Sequence, residues 1–356
     1  TATAGAPTQL QALLGNDQTT AAGTAVTVAP MVLVSDQFGN PVSDIAVQFD
    51  VIQGNGRIIG ADTQTNVQGQ ATVGQWILDT TPGDNALRAR AVDLSLPAVV
   101  FDATGVVGPA AQLVIVTQPV AAGSGEALAT QPVVSITDQF GNLTDSTETI
   151  EATLVFEDGG TPPGTLAGTG SVTAIDGVAT FSDLMLTGLA TTGYELEFSN
   201  TNLSTATSEV MTLLAGAASQ LRITQQPSAF VVNGESFSVQ PVIQLLDGYG
   251  NHVSQAGVVV TAEIGTGGGT LSGTTSVLTN ATGEAQFGNL SIEGVTGPRT
   301  LIFTATGLSA ATTNTFTLQA GSAVGLLMTQ EPSSLAQSGV VLAEQPKVGL
   351  VDQSGN

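Results

Sequence analysis

The chain has 356 residues, 42% of them hydrophobic and 10% charged, and its 6 basic against 29 acidic side chains give a net charge of −23. That is too apolar for a disordered acidic tail. It also lacks the basic stripe a nucleic-acid partner requires, and an anionic membrane surface would repel it. Cysteine is absent, which removes thiolate catalysis, disulfide staples and cysteine-based metal centres, and no run of about 18 apolar residues is present to cross a bilayer.

Taken in order, the chain opens on a segment that returns three times. Gly5-Ala-Pro-Thr-Gln-Leu10 matches Gly108-Pro-Ala-Ala-Gln-Leu113, Gly216-Ala-Ala-Ser-Gln-Leu221 and Gly321-Ser-Ala-Val-Gly-Leu326, with a constant Gly-to-Leu offset of five. A return about every hundred residues is the signature of tandem modules. The boundaries predict the end of a preceding module over residues 1–4 and complete modules over 5–107, 108–215 and 216–320. Residues 321–356 then read as the first strands of a further module, so the sequence reads as a length of a longer array. Small residues and glycine at each joint let packed units meet with little steric demand.

A first strand follows each joint. Leu113-Val-Ile-Val-Thr-Gln-Pro119 alternates with a two-residue period, and residues 221–227 and 326–332 repeat it. The terminal proline suits an edge strand that breaks or switches sheets. The first module has no such proline.

The second strand carries the most regular motif of the chain. Pro30-Met-Val-Leu-Val-Ser-Asp36-Gln-Phe-Gly39-Asn40 recurs at Pro132 to Asn142, Pro241 to Asn251 and Pro346 to Asn356. Positions two and four after the proline are always aliphatic (Val32 and Val34, Val134 and Ile136, Ile243 and Leu245, Val348 and Leu350), and the positions between them vary. That pattern predicts a sheet packed on one face. The closing Asp-x-x-Gly-Asn is turn chemistry: the aspartate accepts backbone N–H groups and the glycine takes positive φ.

A third strand is predicted over residues 45–49, 150–156 and 258–264, followed by a glycine-rich crossing at 56–60, 164–168 and 269–273. A single alternating strand is predicted over 71–78, 179–186 and 285–292, then two closing strands such as 194–198 and 209–214. About seven short strands per module, punctuated every 8–12 residues and without a competing helical period, predict an all-β chain of immunoglobulin-like sandwiches arranged end to end.

Asp36-Gln-Phe-Gly-Asn-Pro-Val42, the later Val47-Gln-Phe49 and Asn66-Val-Gln-Gly-Gln-Ala71 resemble the Ig-like repeats of large bacterial surface proteins, of the intimin and invasin stalk type. The resemblance spans almost the whole chain, and its motifs are turn and strand signals. It implies spacer modules that project a distal binding domain from a cell surface. The cysteine-bearing tip of such proteins has no counterpart here.

Candidate chemistry is sparse. Residues 54–60 miss the spacing of a dinucleotide fingerprint and precede no helix, and residues 265–269 are similar. His252 is the only histidine; it follows a turn and cannot alone build a histidine metal site. Asp36 with Asn40, Asp138 with Asn142 and Asp247 with Asn251 offer hard oxygens for calcium at turns or joints, but the dense acidic spacing of dedicated calcium loops is missing. Lys347 is the only lysine, so the three complete modules cannot form Lys–Asn cross-links. Asn142, Asn202, Asn280 and Asn289 begin formal glycosylation sequons, and Trp76 sits at a core position of a strand.

The sequence therefore predicts no catalytic, cofactor or metal residues. It predicts a non-enzymatic, extracellular or surface-bound bacterial stalk whose partners are neighbouring modules of the same chain. Two other functions are open. One is self-association into a filament through inter-chain strand pairing; the other is glycan binding, which needs an exposed aromatic platform.

Overall fold

The computed structural model describes residues 4–156 and 163–356. Residues 1–3, part of the predicted tail of a preceding module, and residues 157–162 lie outside the described residues. Every regular element among the described residues is a strand.

Three separate hydrophobic cores form along the chain. The first gathers side chains from Leu10 to Ala103 around Trp76, Phe49 and Phe101. The second runs from Leu113 to Leu213, with Phe181 and Phe198 at 5.4 Å between ring centroids. The third runs from Leu221 to Leu318, with Phe287 and Phe303 at 5.2 Å. Each core lies between two packed layers of strands, so each unit is a sandwich that buries its own apolar faces; the layers are divided among three sheets in the first and third units, and in the second an eight-stranded sheet runs through both.

The first strand changes sheets within each sandwich. Gln9–Leu14 pairs antiparallel with Met31–Ser35, and then Gln18–Ala21 pairs parallel with Val99–Val106 in the opposite sheet. In the third sandwich Gln220–Gln225 pairs with Val242–Leu246, and Phe230–Val232 crosses to Phe316–Gln319. Pro227 lies in that crossing and Pro119 in the corresponding stretch of the second, where a parallel bridge joins Gly123 to Leu214. The first sandwich turns instead on Gly15 (φ 87°) and Asp17 (φ 52°), the left-handed conformation that a proline cannot take.

Five features differ from the sequence expectation. The predicted seven-strand frame is cut into ten short strands in the first sandwich and eleven in each of the next two. The single strand predicted over 71–78 is two, Gln70–Thr72 on one sheet and Gln75–Ile77 on another. Gly74 lies between them, where an added Cβ would sit 2.6 Å from the Ile59 carbonyl oxygen. The same break separates Val178–Thr180 from Met185–Gly188 and Glu284–Gln286 from Ser291–Glu293. The glycine-rich crossings are themselves short strands (Arg57–Ile59, Gly164–Ala167, Thr270–Ser272) that pair with the second halves.

The closing strand predicted over 209–214 is only Met211–Thr212 in the second sandwich, and a separate strand, Leu203–Thr207, precedes it. Buried Ser208 sits at the break, and its hydroxyl accepts the Leu196 N–H at 2.9 Å in place of a ladder bond. Thr313 does the same for Leu301 in the third sandwich. Finally, the variable face of the second strand is not open to solvent throughout. Gln244 is buried because the turn at Thr282 covers it, and its amide donates to the Thr282 carbonyl.

Residues 321–356 form one antiparallel hairpin, Gly325–Gln330 with Lys347–Val351. Leu326, Val348 and Leu350 are exposed there, although their counterparts in the three sandwiches lie in cores.

Candidate functional site: the joints between sandwiches

The aspartate of the recurrent turn does more than close the turn. Asp36 Oδ1 accepts the Phe38 and Asn40 N–H groups at 2.9 Å each. Its Oδ2 accepts the N–H of Gly5, 31 residues upstream, at 2.8 Å. The same bond joins Gly108 to Asp138 at 3.0 Å, Gly216 to Asp247 at 2.9 Å and Gly321 to Asp352 at 2.7 Å. The joint glycine and the turn aspartate, two motifs that read as separate in the sequence, are thus one hydrogen-bonded unit. Each aspartate is almost fully buried, where a carboxylate persists only if its lone pairs are met by donors.

These donors hold the carboxyls ionised. For Asp36 the Asn40 side-chain amide is the main cause, followed by the Gly5 N–H, and together they hold the pKa down at about 2. For Asp138 and Asp247 burial acts in the opposite direction and is the largest single influence, but the asparagine amide and the backbone donors together outweigh it. Asp352 is also lowered, chiefly by Asn356.

The asparagine ends of the motif reach across the joints. Asn142 Nδ2 donates to the Thr80 carbonyl of the first sandwich at 2.8 Å. Asn251 donates to the Gly188 carbonyl of the second at 2.9 Å, and its Oδ1 accepts the Ala190 N–H at 2.7 Å. Asn356 repeats that pair on the third sandwich, with Gly294 at 3.0 Å and Thr296 at 2.7 Å.

The turns they grip are fixed from inside. Buried Asn85 bonds Asp79 and Gly83, the Tyr194 hydroxyl donates to Leu189, and the Arg299 guanidinium donates to Val295 and Pro298. Ser124 adds a hydroxyl that both donates to and accepts from the Gly188 backbone.

An aromatic residue completes the contact at two joints. Phe140 lies so close against Gly23 of the first sandwich that a Cβ there would overlap its ring. The Tyr249 ring faces Gly125 in the same way, 3.5 Å from where a Cβ would stand. Phe38, the first copy, is 79% exposed against 42% for Phe140 and 48% for Tyr249. Among the described residues the Asn40 side-chain amide bonds only its own Asp36.

The other singled-out residues fall as follows. Trp76 is fully buried in the first core. His252 and Lys347 are exposed. Residues 54–60 form a turn and a short strand. Asn202, Asn280 and Asn289 are exposed, whereas the Asn142 amide is committed to its joint. Among the described residues no three His, Cys, Asp or Glu side chains converge on a metal position. The turn carboxylates are surrounded by N–H donors and not by further oxygens, which is a poor donor set for calcium.

A family model described as SMCHD1 Ig-like domain 6 matches residues 216–319. The sandwiches are immunoglobulin-like. Among solved structures, the chain is similar to the Escherichia coli adhesin FdeC at 17% identity and TM-score 0.36, over 90% of this chain and 100% of that one. Domains 4–9 of the surface layer protein SbsC are similar at 14% identity and TM-score 0.24, over 91% of this chain and 49% of that one. The D0-D1 domain of intimin is similar at 11% identity and TM-score 0.22, over 88% and 98%. Strand pairing defines the fold in all three sandwiches, and the family model matches the third. No curated protein matches the chain in sequence.

Proposed function

We propose that this chain is a structural, non-catalytic spacer: a row of immunoglobulin-like sandwiches that holds attached parts of a bacterial surface or secreted protein at a set separation. The observation that supports it most is the joint. The same Gly–Asp bond anchors each linker, and the same asparagine grips the unit before it. Side chains committed to holding neighbours in line suit a load-bearing array, in which each unit contacts only its neighbours. The uncovered Phe38 and Asn40 fit a further sandwich docked on the first in the same manner. The turn carboxylates serve N–H donors in this reading, and calcium has no part in holding the joints.

A second reading is self-association, in which strand pairing between chains would build a filament. Electron microscopy of native material separates the two. Beads in a row support the spacer, and a regular helical lattice replaces it with the filament.

A further inference from the structure

We propose that the joint between the first and second sandwiches is the hinge of the array, and that the two later joints are stiff. The hydrogen bonds that cross each joint differ in number. At the first, Asn142 to Thr80 is the one such bond among the described residues. At the second, Asn251 makes two, to Gly188 and Ala190. At the third there are four, because Asn356 bonds Gly294 and Thr296 while Asn233 donates to Asp352 and Ser354.

The cause lies in two residues. The gripped carbonyl is followed two positions later by an N–H donor in the second and third sandwiches, Ala190 and Thr296. In the first sandwich that position is Pro82, which has no N–H to offer. The residue before the contacting glycine is Ser124 or Asn233 in the later units and Ala22 in the first. Ser124 braces its own turn and Asn233 bonds across the joint, and an alanine can do neither. Pro109 fixes one φ of the first linker, but it ties no group of one sandwich to the other.

With one bond fewer, the open population of the first joint should exceed that of the second by roughly fivefold.

The absence of cysteine makes the test direct. In the full chain, nitroxide labels are placed at exposed positions as S95C with T205C across the first joint, and T205C with T274C across the second. Electron–electron distance measurements should give a broader distribution for the first pair. Pro82→Ala, which supplies the missing N–H, should narrow it, and Asn251→Ala should broaden the second pair. Equal widths in the parent chain, or a broader second joint, overturn the hinge. A first-joint width unmoved by Pro82→Ala overturns its assigned cause. These readouts hold whether the array serves as a spacer or as a filament.

Discussion

The carboxylate of Asp247 accepts the N–H of Gly216 at 2.9 Å across 31 residues of chain, so the first residue of a linker is held by the end of the second strand. Asp247 Oδ1 at the same time accepts the Tyr249 and Asn251 N–H groups. Replacing Asp247 with alanine leaves three buried or partly buried donors without a partner. The expected loss is about 1–3 kcal/mol in the third sandwich, measured by urea unfolding. Asp247→Asn should lose less, because its carbonyl oxygen still accepts.

The joint glycines differ in what surrounds them. A Cβ on Gly216 would collide with the Ser124 carbonyl, a backbone atom of the preceding sandwich, whereas one on Gly108 would meet the Asp138 Oδ2 side-chain atom at 3.2 Å. Gly216→Ala should therefore force the second joint apart and raise its cleavage by protease. Gly108→Ala should leave the first nearly unchanged. Limited proteolysis of the two variants side by side reads the contrast.

The turn aspartates set the acid limit of the fold. A carboxyl whose folded pKa lies below its unfolded value contributes stability that is full above the unfolded pKa and is lost as pH falls through the folded one. For Asp36 that window runs from 3.8 down to about 2, and Asp138, Asp247 and Asp352 shift in the same direction. The melting temperature should hold steady above about pH 5 and fall steeply below pH 4. Asp36→Asn should flatten the part of that fall that comes from the first sandwich.

Calcium offers a plain test of the turn account. Because N–H groups fill the carboxylate lone pairs, adding a chelator should leave the melting temperature unchanged. A drop on chelation that added calcium restores would place the ion at these turns.

Much of the fold was legible in the sequence, and the parts that were not have identifiable reasons. Alternation at Val32 and Val34 or Ile243 and Leu245 marks core faces because strand side chains alternate strictly. The division of the strand at Gly74 was hidden because alternation continues on both sides of the break, and only the close approach to Ile59 exposes it. The joint was half legible. Gly216 and Asp247 each recur, and their separation hardly varies, but a turn aspartate can be satisfied locally, so nothing in the residue types demanded a distant donor. The role of Pro82 needed the structure, since a proline in a loop is unremarkable until the equivalent positions of the later sandwiches, Ala190 and Thr296, are seen donating to an asparagine oxygen.

Small-angle X-ray scattering of the whole chain tests the central claim most directly. A single compact body of 356 residues would have a radius of gyration of about 21 Å. A row of sandwiches locked at their joints predicts a value well above that, with a pair-distance distribution skewed to a long tail, and a further rise in flexibility when Asn142, Asn251 and Asn356 are all changed to alanine. A compact radius, or a profile indifferent to those three changes, would contradict the account.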